Sequence, residues 1–313
     1  MEKEGKQRMT NKHKVNKKQA KRILLLLVLL IVLIVGIAIA TKPQKETMLT
    51  QFSPTTGRQM MGYAIQTDAG KLIMIDGGNI GDAQEVEKYI LDHGGEVEAW
   101  FITHIHTDHV GAFTQMIQNP DITIHHVYAS IADKQWYETY EPSRKEDIDS
   151  FFEAIEQNTI QEKIEEPQVG QIYSIDNLEI EILGIKNPEI TENAMNNSSM
   201  VFQVRTEDTS LLFLGDTGEE SSQKLLDTKK DKLKSDIVQV AHHGQAGASK
   251  ELYQAVAPKI ALWPTTDWLW NNDSGTGEDS GPWKTKETRS WLEELNVQEN
   301  YLAQDGMQTI TIP

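Results

Sequence analysis

From residue 63 onward, short apolar runs bounded by Gly, Asn, Asp or charged residues alternate with segments of helical periodicity. The runs predict strands over Tyr63 to Thr67, Lys71 to Ile75, Ala99 to Thr103, Ile122 to Tyr128, Leu178 to Leu183, Met200 to Arg205, Ser210 to Leu214, Asp236 to Val240, Lys259 to Trp263 and Gln308 to Ile312. The periodic segments predict helices over Ala83 to Asp92, Val110 to Gln118, Arg144 to Glu156, Glu219 to Leu226, Lys250 to Val256 and Lys286 to Glu294. Strands interleaved with helices define an α/β fold.

One apolar run is of another kind. Ile23 to Ala40 is uninterrupted by any polar side chain, and residues 1–22 ahead of it hold nine Lys or Arg against two Glu. A run of this length is at the lower limit for a spanning helix, and the positive flank should stay cytoplasmic, sending everything after Thr41 outside. The expected organisation is a basic cytoplasmic tail (1–22), a transmembrane or signal-anchor helix (23–40), a linker (41–50) and one enzyme-sized domain (51–313). Ala38-Ile39-Ala40 also fits a signal-peptidase site. The long basic segment favours an uncleaved anchor in a bacterial cell membrane, with the domain extracellular; cleavage after Ala40 would make the domain secreted.

The tail also reweights the charge. The chain carries −17 overall, so removing the +7 of residues 1–22 leaves −24 on the remainder. Nucleic-acid binders present basic surface to phosphates, and no Lys/Arg-rich groove is visible, which weighs against a DNA substrate. Cysteine is absent, which excludes disulfides and thiolate metal ligands and leaves His and Asp as ligands.

The segment Thr103-His104-Ile105-His106-Thr107-Asp108-His109 places three imidazoles and a carboxylate directly after an apolar run. Two histidines two positions apart at the end of a strand leave it on the same side, and Asp108 and His109 should follow on a turn. Divalent ions such as zinc take these nitrogen and oxygen donors, and a site with an open position polarises water. Five of the nine histidines lie here or in the pair His242-His243. His125 and His126, in a strand-like run, read as structural, and His13 and His93 as solvated.

The string "THIHTDHVGA" resembles the HxHxDH signature of the metallo-β-lactamase superfamily, a fold of mostly hydrolytic two-metal enzymes. "KLIMIDGG", with Asp76, is similar to the family's early strand ending in Asp-Gly-Gly; "LLFLGDTG", with Asp216, and "DIVQVAHHG" follow in the family's order. Together with "NNSSMVFQV", these strings most resemble the extracellular domain of bacterial competence DNA-uptake channels and also the secreted phosphorylcholine esterases. The resemblance implies a four-layer αββα sandwich and two divalent metal ions, most simply zinc with manganese as the alternative. It assigns His104 and His106 to one metal, Asp108, His109 and His243 to the other, and Asp216 to the bridge between them. His242 is the alternative to His243 as that last histidine ligand; otherwise it supports the ligands from beside them, contacts the phosphate or gives the proton to the leaving oxygen, so Asp108 and His242 are the catalytic candidates.

One departure matters. Many relatives place a further His between the first motif and the bridging Asp, whereas this chain reads Asn196-Asn197-Ser198-Ser199 there. The His104 and His106 metal should therefore have fewer protein ligands. Asp76 has two readings, a turn whose glycines allow positive φ or a carboxylate that orients a ligating histidine. For Asp216 the competing reading is an N-cap of the following helix.

The relatives point to phosphate esters, small or in the cell envelope, attacked by a hydroxide shared between two metals. Alternatives are a competence-type nuclease and a non-catalytic metal-binding module. Trp136, Tyr137, Tyr140, Trp263, Trp268, Trp270 and Trp283 either line the site's mouth as a cage for a quaternary ammonium or pack in core and loops. The oligomeric state is not legible in the sequence.

Overall fold

The computed structural model describes residues 20–25, 27–28 and 46–313. Residues 20–25 and 27–28 are helical and solvent-exposed. Most of the expected tail and anchor, residues 1–19, 26 and 29–45, lies outside the described residues; among those described, no helix is long and apolar enough to cross a membrane.

The larger unit, Lys45 to Pro313, opens with an antiparallel meander of β1 (Thr47–Gln51), β2 (Gly62–Gln66) and β3 (Leu72–Asp76). Helix α1 (Ala83–Asp92) then crosses to β4 (Glu96–Ile102), parallel to β3, and α2 (Thr107–Met116) crosses to β5 (Thr123–Ala129). Helices α3 (Lys134–Tyr140) and α4 (Lys145–Glu156) lead to the two-residue β6 (Ile164–Glu165).

The second half repeats the plan. An antiparallel set of β7 (Ile172–Ile175), β8 (Leu178–Gly184), β9 (Val201–Arg205) and β10 (Ser210–Phe213) has the short α5 (Ala194–Asn197) inserted before β9. Parallel crossovers follow through α6 (Glu219–Lys229) to β11 (Ile237–Gln239) and through α7 (Lys250–Val256) to β12 (Ile260–Trp263). The short α8 (Asp267–Trp270) and then α9 (Thr285–Glu294) lead to β13 (Glu299–Leu302). Finally β14 (Gln308–Ile312) returns to pair with β1, giving two seven-stranded mixed sheets, β14-β1-β2-β3-β4-β5-β6 and β13-β12-β11-β10-β9-β8-β7.

The central strands are apolar on both faces because both faces are covered. Ile73, Ile75, Phe101, Leu211 and Phe213 meet in the layer between the sheets. Their strand neighbours turn outward: Met74, Trp100 and Ile102 against α1, α2 and α4, and Leu212, Val238 and Trp263 against α6, α7 and α9. These three apolar layers make the α/β sandwich with a helix layer outside each sheet.

Several elements differ from expectation. Thr47–Gln51 is a strand and not the end of a linker, because its backbone finds partners in β2 and β14, which are far apart in sequence. Strands β6, β7 and β13 and helices α3, α5 and α8 were not predicted: each is short, and β13 is largely polar. Helix α2 begins at Thr107, not Val110, so Asp108 and His109 occupy its first turn instead of a preceding turn. His106, extended at φ −63° and ψ 145°, is the N-cap, and Asp108 lies at the positive end of the helix dipole.

Candidate metal centre

The expected ligands converge where the parallel strands of both sheets end. Asp76 closes β3 in the left-handed region at φ 49°, followed by Gly78 at φ 78°. Helix α2 is laced to this turn: Ala112 N donates to Gly78 O at 3.0 Å, and a Cβ on Gly111 would lie 2.3 Å from Ile80 N. The close approach therefore requires glycine at 111, and it locks the Asp108 and His109 turn against Asp76.

The buried Asp76 carboxylate organises the start of the cluster. Its Oδ1 accepts from Thr103 N at 2.8 Å, and its Oδ2 accepts from Thr103 Oγ1 at 2.6 Å and lies 2.7 Å from His109 Nδ1. A proton on His109 Nδ1 leaves Nε2 as the free lone pair, and Nε2 lies 3.2 Å from Asp216 Oδ1. Both readings of Asp76 thus hold together in one residue, a positive-φ turn and a hydrogen bond to an expected ligand.

Asp216 sits between two groups of donors. On one side are His104 and His106, with His104 Nε2 2.9 Å from His106 Nδ1 and 3.9 Å from Asp216 Oδ2. On the other are Asp108, His109 and His243, with His243 Nε2 3.1 Å from Asp108 Oδ2 and 3.6 Å from Asp216 Oδ2. Within each of the two triads, His104, His106 and Asp216 and then Asp108, His109 and His243, the donor atoms lie within 4.8 Å of one another. Asp216 does not cap α6; the cap position is Gly218, whose N donates to Ser221 Oγ at 3.1 Å.

The loops that carry Asp216 and His243 are held by groups the sequence reading did not identify. Gln239 Oε1 accepts from Leu214 N at 2.8 Å and Gly215 N at 2.7 Å, while its Nε2 donates to Gly215 O and Val240 O. His243 Nδ1 donates to Pro264 O at 2.7 Å, which directs Nε2 into the site. His242 and His243 both adopt left-handed backbone, φ 50° and 53°, a costly conformation for residues with a Cβ.

The segment in place of the expected further His also reaches the centre. Ser199 Oγ accepts from Asp216 N at 3.0 Å and lies 3.4 Å from His104 Nδ1, and the Asn196 amide Nδ2 lies 3.2 Å from His242 Nε2. Asn197 instead ties the start of α6, its Oδ1 accepting from Ser221 N and Oγ. Nothing in the local pattern of Asn196 to Ser199 signals these contacts, because each partner is distant in sequence.

The donor set fits divalent metals. His106 Nε2, His109 Nε2, His243 Nε2 and Asp216 Oδ1 are buried without a hydrogen-bond partner, a cost of about 1–3 kcal/mol each that ligation removes for atoms facing the ion. Burial depresses His104 and brings His106 down to about 4, keeping both imidazoles neutral. Burial pushes the Asp108 and Asp216 carboxyls up, but the facing His243 and His109 overcome it and hold both below the ordinary range. Burial would lower His109 and His243, yet the neighbouring carboxylates, Asp216 foremost, raise both. Burial raises Asp76 and is partly offset by His109.

The other candidates fall elsewhere. His125 and His126 are exposed on β5 beside Glu96 and Glu165. The seven aromatics form separate clusters and no common cage. Trp263 is buried against Trp270, which carries Arg289 over its ring at 3.9 Å. Trp268 packs at a tilt against Trp283 and donates to Gly57 O at 3.1 Å, and Trp136 packs on Tyr137 and Tyr140.

Comparisons with known proteins agree with this geometry. ComE operon protein 3 of Bacillus subtilis (strain 168) is 26% identical over 168 residues, covering 53% of this chain and 20% of that protein. The chain thus spans a fifth of that relative's length. Among solved structures, the metallo-beta-lactamase fold protein YhfI of Bacillus subtilis superposes with a TM-score of 0.50 at 13% identity, over 85% of this chain and 100% of YhfI. CmlA, a diiron beta-hydroxylase from Streptomyces venezuelae, superposes with a TM-score of 0.52 at 10% identity, over 87% of this chain and 55% of CmlA. Both likenesses concern the fold alone. The family model of the metallo-beta-lactamase superfamily matches residues 56–262, and the chain belongs to that superfamily.

Proposed function

We propose that this protein is a metal-dependent phosphoesterase, tethered to a bacterial membrane with its catalytic domain outside the cell. The observation that carries the reading is the pair of His/Asp triads meeting at Asp216, a geometry suited to two divalent ions sharing one carboxylate. Two such ions, when bound, supply Lewis acidity and a water of lowered pKa. Zinc suits an all-nitrogen and oxygen donor set, with manganese as the alternative.

The chain's own residues do the rest. Asp216 holds the two triads in register, and Asp76 fixes which nitrogen of His109 faces them. Asp108, at the first turn of α2 and 23% exposed, is the ligand most open to an incoming substrate. His242, with 19% of its side chain exposed and its Nε2 3.9 Å from Asp216 Oδ2, delivers a proton to the leaving oxygen. Burial lowers its pKa, so the ring carries the proton only on the acid side of the ordinary histidine range.

The extracytoplasmic placement is supported by the apolar run Ile23 to Ala40 behind nine basic residues. A small or cell-envelope phosphate ester is the substrate class. A second reading, DNA cleavage, follows from the resemblance of the motifs to the competence DNA-uptake domain and is opposed by the −24 charge on residues 23–313. The test is turnover by the full chain, loaded with zinc or manganese, on a phosphomonoester, a phosphodiester, phosphorylcholine, single-stranded DNA and a cephalosporin. Turnover of a small phosphate ester supports the proposal. DNA cleavage alone supports the nuclease, and metal binding without turnover of any substrate leaves a binding module.

A further inference from the structure

Apart from the metal centre, the layer between the second sheet and α6 is not completely filled. Strand β8 bulges between Ile182 and Gly184, so its register against β9 shifts there, and Gly184 brings no side chain to the space beside the bulge. A cavity of about 210 Å³ remains. Its walls include Leu183, Ile185, Val201 and Leu225, and Val169, 42% exposed, stands at its mouth. None of the candidate metal ligands lines it.

The rim is basic although the domain as a whole is acidic. Lys224 and Lys229 of α6 both line the cavity. Lys224 is occupied, its Nζ donating to Asn187 Oδ1 and Glu189 Oε1, both at 2.6 Å. Lys229 is half-buried and enters no ion pair among the described residues. It also opens a basic stretch, in which Lys229, Lys230, Lys232 and Lys234 stand against the single acid Asp231. An apolar chamber with a cation at its edge is complementary to an amphiphile with an anionic head. A cavity of about 150 Å³ takes up benzene, so this one has room for an apolar body of about six carbons and none for the tail of a membrane lipid.

We propose that this cavity is a ligand site separate from the metal centre, which takes a small soluble amphiphile with a short aliphatic body and a carboxylate head. The body is buried among Leu183, Val201 and Leu225, and the head faces Lys229. The site goes beyond the phosphate-ester reading and does not depend on it. Ser199 forms part of the inner wall, and its Oγ accepts from Asp216 N at 3.0 Å, so an occupant stands one side chain away from the loop that bears Asp216.

The experiment is an NMR titration of the full, metal-loaded chain with labelled Leu and Val methyls, using hexanoate, 1-hexanol and acetate as probes. Hexanoate should shift the Val169, Val201 and Leu225 methyls in a saturable way. Acetate carries the same anion without the body and controls for carboxylate binding at the metals. Its affinity at these methyls should be lower by roughly tenfold or more, because the methylenes that hexanoate buries are missing. Hexanol keeps the body without the charge and should bind more weakly than hexanoate. Lys229→Ala should reduce hexanoate affinity roughly twofold to fivefold, as for a partly exposed ion pair, and leave hexanol unchanged. The absence of a saturable shift at these methyls overturns the proposal. So does hexanol binding as tightly as hexanoate, or wild-type hexanoate affinity in Lys229→Ala, because either removes the anionic head from the recognition.

Discussion

The Asp76 carboxylate lies 2.7 Å from His109 Nδ1, and the opposite edge of that ring, Nε2, lies 3.2 Å from Asp216 Oδ1. A carboxylate at the end of β3 thus sets the tautomer of a histidine on α2, which in turn faces an aspartate from the second sheet. The relationship couples both halves of the fold at the candidate metal centre.

Replacing Asp76 by Ala should leave the fold largely formed but release His109. It also strips Thr103 N of its acceptor, at a cost of about 1–3 kcal/mol. Metal affinity should fall roughly 10- to 100-fold, as for other residues that orient ligating histidines. Competition against a chromogenic chelator measures this, and wild-type affinity in the variant would show that His109 needs no such support.

Asp216 and His106 belong to one triad, but the Asp216 carboxylate also lies 3.2 Å from His109 Nε2 and 3.6 Å from His243 Nε2 in the other. Asp216→Ala should therefore lose metal from both positions, whereas His106→Ala should mainly empty the position shared with His104. Elemental analysis of the purified variants reads the stoichiometry directly. Activity should disappear with the metal in each case, and full turnover in either variant would overturn the assignment.

Gln239 is buried and makes four hydrogen bonds to backbone, three to the Asp216 loop and one to Val240, just past β11. Gln239→Leu leaves Leu214 N and Gly215 N without an acceptor, so a destabilisation of about 2–4 kcal/mol is expected. For a unit of this size that corresponds to a fall in Tm of roughly 4–16 °C. A scan of the metal-free protein separates this loss from any change in ligation, and an unchanged Tm would rule out a clamp role.

Asp236, just before β11, accepts from Ser210 N and Oγ at 3.1 and 2.8 Å and pairs with Lys259 Nζ at 2.8 Å. Burial opposes its ionisation, but Lys259 and Ser210 prevail and hold the carboxyl below its ordinary value. A depressed folded-state pKa contributes stability above the unfolded value, about 3.9, which is lost as pH falls through the folded one. Asp236→Asn should therefore be less stable than the wild type at pH 6, and the gap should close below pH 4 in denaturant titrations. A gap that persisted in acid would assign the effect to packing.

Much of the centre was legible because ligand chemistry survives in one dimension. His104, His106, Asp108 and His109 lie within one strand end and one helix turn, so local geometry alone brings them together. Asp216 and His243 were placed by motif order, and Asp76 by its strand-ending position. Thr103, Ser199, Gln239 and Pro264 were missed because their roles exist only through partners distant in the chain or through a backbone carbonyl, which leaves no mark in composition.

The fold shows the same division. Long apolar runs such as β3 and β4 announced themselves because burial on both faces demands them, while β1 owes its place to β14 from the far end of the chain, and β6 and β13 are short edge strands paired only with β5 and β12. Residue types and their order therefore determined an α/β chain with a His/Asp metal chemistry. The tertiary structure decided how Asp216 comes to lie between the two triads and which nitrogen of His109 and of His243 is turned inward. Those are matters of distance between groups far apart along the chain, and only packing of one sheet against the other sets them.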